Sequence, residues 1–379
     1  MRILLYCVAL LLLPSAVMAQ APEKFRVYIG TYTGKLSKGI YACELDLKDG
    51  KLSAPQLAGE MTSPSFVAIH PNQKFLYAVG EAGGKKSGVV AFAVDAKTGL
   101  LTRLNDASSG GSGPCHLVVD ASGKAVLAAN YGSGSCCSIP IGPDGKLLEG
   151  GSVHQHTGKS INPGNQQGPH AHSINLDKAN QFAFCADLGI DKVMVYRFDA
   201  AKGTLTPNDP PAFNTPPGSG PRHFAFHPDG KKAYINGEIN MTIIACDYDA
   251  AKGVLTQKQV LSTLPKDETR KKGSTAEVVV HPSGKFVYVS NRDPYNSIAI
   301  FSIDQKTGAL KAVGHESRNI ATPRNFAIDP TGQYMLVANQ SGNNVIAFGI
   351  NQATGELIPT GGSVSVGGPV CVRFMPLVK

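Results

Sequence analysis

Internal repetition constrains this chain more than any other feature. Six stretches share one pattern: an apolar run, a turn of the His-Pro-x-Gly-Lys kind, and a second apolar run. They read SFVAIHPNQKFLYAVGE, CHLVVDASGKAVLAANY, HSINLDKANQFAFCADL, RHFAFHPDGKKAYINGE, AEVVVHPSGKFVYVSNR and RNFAIDPTGQYMLVANQ. Their turn anchors are His70, Asp120, Asp177, His227, His281 and Asp329, and Met375 in PVCVRFMP marks a seventh. Consecutive anchors lie 46 to 57 residues apart. Between them come a third and fourth apolar run joined by an Asp-x-x-x-Gly turn, as in GVVAFAVDAKTGLLTRL. Four strands in a unit of roughly 50 residues is the signature of a β-propeller blade. The seventh unit stops after one strand. Its missing strands lie at the other end of the chain, where RVYIGTYTGKLSKGIYACELD aligns with LYAVGEAGGKKSGVVAFAVD. The expected fold is therefore all-β: a seven-bladed β-propeller in residues 20–379, one domain, its last blade closed by strands from both termini.

Composition fits that reading. The 42 Gly and 25 Pro are spread between apolar runs along the whole chain. This excludes a collagen-like chain, argues against disorder and leaves few windows for a long helix. The net charge of +8 comes mostly from scattered single Lys and Arg. The densest cluster, Arg270, Lys271 and Lys272, falls in a loop and reads as a solvated surface, so no nucleic-acid partner is expected. Small anionic ligands remain compatible with the charge. Arg2, the apolar run 3–13 and Val17-Met18-Ala19 read as a secretory signal cut after Ala19. The mature chain is expected in the periplasm or outside the cell. No stable membrane association is expected after cleavage, and a monomer is the expected state. Seven cysteines follow the signal: Cys43, Cys115, Cys136, Cys137, Cys185, Cys246 and Cys371. Their number is odd and their spacing matches no zinc pattern, so they read as buried free thiols. A strained Cys136–Cys137 disulfide is the alternative for that pair.

In a propeller the first strand of each blade lines a central channel. Hairpin geometry puts the start of the first strand and the end of the second on the face opposite the turns. Five residues before the anchors stand Ser65, Cys115, His172, Arg222, Ala276, Arg324 and Val370. One position on come Phe66, His116, Ser173, His223, Glu277, Asn325 and Cys371. Eleven residues after the anchors stand Glu81, Tyr131, Leu188, Glu238, Arg292 and Gln340, with Tyr32 as their equivalent in the split blade. Polarity around these rings is one-sided. His170, His172, Arg222, His223, Glu238, Glu277 and Arg292 all come from blades three to five, which marks a site rather than a structural channel. The long connections 150–168, 207–220 and 265–273 are expected as loops on the same face. His70, His227 and His281 fall on the opposite face and read as turn structure.

The stretches GPHAHSINLD, GPRHFAFHPDGKKAYINGE, AEVVVHPSGKFVYVSNR and PRNFAIDPTGQYMLVANQ resemble the propeller lactonase family. That family contains the bacterial 6-phosphogluconolactonase of propeller type and the fungal carboxymuconate cyclase. The resemblance runs over essentially all of the chain after the signal. It implies a hydrolase without cofactor that opens a sugar-type lactone. The implied substrate is 6-phosphoglucono-1,5-lactone, or the lactone of a related exported enzyme. By the same resemblance the catalytic set is His172, Arg222, Glu238 and Arg292. A lactone-forming cyclase and a non-enzymatic binding platform are the alternatives.

Opening a lactone needs a base for water, a stabiliser for the oxyanion and a grip on any anionic substituent. His172 or Glu238 could be the base. Arg222 and Arg292 could hold a phosphate or carboxylate, or face the oxyanion. His170, His116, His223, Glu81, Tyr131, Arg324 and Gln340 complete the expected substrate-binding set. The competing reading of Arg222, Glu238 and Arg292 is an ion-pair network tying blades four and five, and Glu277 and Arg324 also read as partners between blades. His170 and His172 share a strand face and could meet His223 around a metal. No carboxylate or cysteine accompanies them at suggestive spacing, so no metal is expected. No Ser-His-Asp triad can be drawn.

Overall fold

The computed structural model describes residues 22–81, 88–266, 268 and 272–377. The expected signal segment 1–19 and two members of the basic cluster, Arg270 and Lys271, lie outside the described residues. Within them the chain forms seven four-stranded sheets, each following chain order from an inner to an outer strand. The inner strands are Val67–Ile69, Pro114–Val119, Ala171–Leu176, Pro221–Phe226, Thr275–Val280, Pro323–Ile328 and Pro369–Pro376. Each touches the inner strands of both neighbours, in an unbroken circuit. The seventh sheet joins the two ends of the chain. Its inner strand pairs antiparallel with Lys24–Thr31, which leads on to Gly39–Asp46 and Gln56–Glu60. Across that join Val27 faces Phe374.

Burial explains why the strands read as they do. The second strands Ala125–Asn130, Phe182–Asp187, Lys232–Gly237 and Phe286–Asn291 are buried at every residue, because they are covered on both faces by neighbouring blades. Outer strands such as Val254–Ser262 are largely exposed. The apolar core is a set of layers between blades rather than one central mass. Phe184, Phe224 and Ile244 form one layer between blades three and four, and Val27, Ile29, Leu336 and Val345 form another between blades seven and six. Each large apolar side chain buried this way contributes about 1.5–3 kcal/mol. The last of these layers seals the ring across the join of the termini.

Polar latches repeat with the blades. His70, His227 and His281 place Nε2 at 2.8–2.9 Å from the carbonyls of Gly123, Gly284 and Gly332 in the next blade's turn. Those glycines take positive φ, and a Cβ on any of them would run into the histidine ring. The His-Pro-x-Gly turn is thus written for its neighbour as well as for itself. Similarly, the hydroxyls of Tyr28, Tyr77, Tyr234 and Tyr288 donate to the carbonyls of Gly99, Gly145, Gly308 and Gly355, again one blade on.

Two of the three expected long loops are partly strand. Residues 152–155 form the outer strand of blade two, and the outer strand of blade three runs through Thr204–Asn214. Pro207, Pro210 and Pro211 break helices and inner strands, but an outer strand needs no donors on its free edge.

Candidate active site

The polar ring is built on β-bulges. In blades two to seven the pairing of the first two strands slips at the ring position. Cys115, His172, Arg324 and Val370 are each the extra residue of a bulge, and Arg222-His223 and Ala276-Glu277 fall within wider ones. A bulge interrupts the strict alternation of a strand and re-aims a side chain. Here it turns the ring residue toward the channel mouth. The N–H groups freed by the wider bulges are satisfied from the second strand: His223 N donates to Asn236 Oδ1 and Glu277 N to Ser290 Oγ, both at 2.9 Å.

At that mouth lies a narrow recess open to solvent, whose enclosed part has room for about one water, lined by Ser65, Glu81, Cys115, His172, Arg222 and Arg324. Phe66, His223 and Asn325 close its floor with Val370. Glu238 and Arg292 stand beside Arg222 without lining the recess themselves. Arg222 Nε lies 2.7 Å from Glu238 Oε2, and Arg292 Nη2 lies 2.9 Å from Glu238 Oε1. One carboxylate thus bridges two guanidinium groups from blades four and five. The Arg222 Nε–H is not aligned on that oxygen, and neither it nor the buried Arg292 Nε–H has a hydrogen-bond acceptor. Ser65 Oγ, in the recess wall, is likewise buried and unpaired.

The charges follow from burial and from one another. Burial opposes the Glu238 carboxylate, but Arg292, Arg222 and Arg324 outweigh it and hold the group below the usual range. Burial, then the charge of Arg324, pulls Arg222 down to about 10, which leaves it charged at neutral pH. Burial, then Arg222, His223 and Arg324, pushes His172 well below the ordinary histidine value, so it is neutral at pH 7. Its Nδ1 lies 3.7 Å from Cys115 Sγ, whose thiol donates to the His172 carbonyl at 3.3 Å. Burial pushes the Cys115 thiol up, which leaves it protonated and unfit as a nucleophile.

The other expected residues divide into rim and floor. At the rim His170 stacks on Tyr131, with centroids 4.6 Å apart, and its Nδ1 donates to the Tyr131 carbonyl. Tyr131 also meets the His172 ring edge-on at 5.4 Å. Glu81 accepts from the Tyr32 hydroxyl, and Arg324 lies over the Tyr32 ring at 5.2 Å. Gln340 directly follows the strand Tyr334–Asn339, its backbone N–H donates to the Thr322 carbonyl, and its side chain does not line the recess. The floor belongs to His223, whose Nδ1 donates to Glu277 Oε1 at 2.6 Å, while Asn325 donates to the other oxygen. His116 packs beneath, between Phe66 and His223, and lines the cavity at the opposite end of the channel. It does not reach the recess where its ring position had placed it, because Phe66 and His223 fill the channel between.

Comparison with known proteins agrees with this architecture. The family described as "Lactonase, 7-bladed beta-propeller" matches residues 26–374. A Bacillus subtilis protein named 6-phosphogluconolactonase is 38% identical over 352 residues, 93% of this chain and 99% of its own. A Formosa agariphila protein of the same name is 35% identical and covers 87% of this chain and 94% of its own. The structure of the Pseudomonas aeruginosa periplasmic gluconolactonase superposes with a TM-score of 0.86 at 29% identity, over 94% of this chain and all of that one. From repeat count, ring closure and these matches together, the chain belongs to the seven-bladed β-propeller lactonase family.

Proposed function

We propose that the protein is a lactonase that opens an anionic sugar lactone at the channel mouth, with His172 as general base. The observation that carries this reading is the pair Arg222 and Arg324 beside a neutral His172 in one recess, with Arg292 joined to Arg222 through Glu238. Guanidinium groups gathered in a water-poor recess suit the charge that develops on an oxyanion. His172 suits the base because it is unprotonated, lines the recess, and among the described residues has a hydrogen-bond partner only at Nδ1. Glu238 suits it poorly, since both its oxygens already meet guanidinium groups and its affinity for a proton is lowered. Its work is to hold the two arginines together.

The chemistry balances with these residues alone. Water gives a proton to His172 as its oxygen bonds to the lactone carbonyl carbon. The charge on the former carbonyl oxygen falls to an arginine N–H. Collapse breaks the ring C–O bond, and His172 returns the proton to the leaving ring oxygen, giving the hydroxy acid. The second arginine, with Arg324, holds the substrate's phosphate or carboxylate, whose charge also raises the basicity of His172 as it binds. Tyr131 and His170 offer a ring stack on which the sugar can lie.

The relatives' names cover a phosphorylated and an unphosphorylated lactone, and the arginine cluster favours the anionic class. The leader-like residues 1–19 support an exported enzyme; N-terminal sequencing of the native protein should begin at Gln20, and an intact Met1 in a cytosolic fraction would overturn export. The function is tested with a panel of phosphorylated, carboxylated and neutral lactones, each measured against its spontaneous hydrolysis. The anionic lactones should turn over fastest. Equal rates to background on every member would leave a ligand-binding propeller as the better reading.

A further inference from the structure

Between blades two and three, away from the recess, three side chains of metal-ligating type converge. Cys136 comes from the third strand of blade two, His156 follows that blade's outer strand, and Cys185 comes from the second strand of blade three. One ligand atom from each lies within 4.8 Å of the others, and all three residues are buried. We propose that this cluster is a binding site for one thiophilic divalent cation, zinc by preference, joining blades two and three.

Four observations support it. First, the histidine is set up as a ligand. His156 Nδ1 donates to Asp187 Oδ2 at 2.6 Å, which fixes the tautomer and turns the Nε2 lone pair inward. A carboxylate behind the histidine is the usual outer partner of a zinc ligand. Second, Asp187 is itself held, since its other oxygen accepts from the N–H groups of His170 and Gly189. Third, the Tyr196 hydroxyl donates to His156 Nε2 at 2.9 Å, which confirms that Nε2 carries the lone pair; a cation bound there would displace this hydroxyl. Fourth, the charges close. Two thiolates neutralise a divalent ion, so the filled site adds no net charge to a dry interior, whereas a monovalent ion would leave one negative charge uncompensated. Around a tetrahedral zinc, with Zn–S of about 2.3 Å and Zn–N of about 2.0 Å, the three atoms need to draw in by roughly half an ångström.

The spacing of these residues matches no local zinc pattern, because two blades supply them and only the fold brings them together. The cluster takes no part in the lactone chemistry above, so its test stands apart from that of the proposed function. The whole chain is purified under reducing conditions, loaded with zinc chloride, gel-filtered and assayed for metal by elemental mass spectrometry. Roughly equimolar zinc is expected. It should fall to background in Cys136→Ser and Cys185→Ser and persist in Cys137→Ser, whose thiol faces the blade-one side of the same strand. Should a serine variant fail to fold, cobalt(II) loading of the wild-type chain decides instead. A thiolate-to-cobalt charge-transfer band with tetrahedral d–d absorption supports the site. No stoichiometric zinc in the folded wild-type chain, no cobalt band, or a quantitative Cys136–Cys185 disulfide in the native protein would overturn the proposal.

Discussion

His172 and Glu238 occupy rim positions that their spacing alone makes equivalent. What separates them is partnership: Glu238 is clasped by two guanidinium groups, while the His172 ring, among the described residues, has a hydrogen-bond partner only at Nδ1 and carries no charge. Because its folded pKa is depressed by burial and the nearby arginines, kcat/KM should stay level through the ordinary histidine range and fall only on the acid side of it, as His172 takes up a proton. Arg222→Met removes a positive neighbour, so the histidine's pKa should rise and the falling limb move to higher pH. An unmoved limb in the pH–rate profile would assign the base elsewhere. His172→Ala should lower turnover by about 10²–10⁴-fold. Glu238→Gln should act chiefly on KM, through loosened arginines. The sequence made the positions of these four residues legible through register. It could not divide their roles, which depend on which oxygen meets which nitrogen. Nor could it show that the channel is filled at Phe66 and His223, which puts His116 on the far side of that plug from the recess.

At the level of strands, the bulges carry the design. The repeat anchors gave each strand and its partner, but not the slip between them. A signal was present: Pro114, Pro221, Pro323 and Pro369 stand immediately before ring residues, and a proline suits the first position of a strand, where no N–H is needed. The register shifts follow directly behind these prolines. Asn236 is the test of this device. It accepts from His223 N and donates to Thr275 Oγ1 at 2.7 Å. Asn236→Ala should cost about 1–3 kcal/mol in denaturant unfolding, since it leaves buried groups unpaired. It should also raise KM by letting Arg222 drift, whereas a purely structural role would leave KM unchanged in the folded variant. The misread segment 207–214 teaches the converse. Proline punctuation signals the end of an inner strand but says little about an outer one.

For the molecule as a whole, the repeat count and the split blade were enough to fix the number of blades and the closure. The blade interfaces were less legible, because residues that meet there are some 50 positions apart and belong to different repeats. Acid is expected to strain the assembled ring. His116, His172 and His223 line its axis, and burial is the first cause holding each below the ordinary value. The unfolded chain therefore binds protons below about pH 6.5 that the native state refuses. Stability should fall on acidification from there, by about 1.4 kcal/mol per pH unit for each histidine that stays neutral, as urea unfolding at stepped pH would measure. The join between Lys24–Thr31 and Pro369–Pro376 sets a further condition. During synthesis the inner strand of the seventh blade leaves the ribosome after every other strand described. Until it does, six blades stand as an open arc with the Lys24–Thr31 edge unpaired and free to take a strand from another chain. A chain paused or cut short before residue 369 is thus a seed for aggregation rather than a smaller propeller. Chaperones would have to guard that edge until the final strand arrives, so the timing of translation becomes part of how this ring is made.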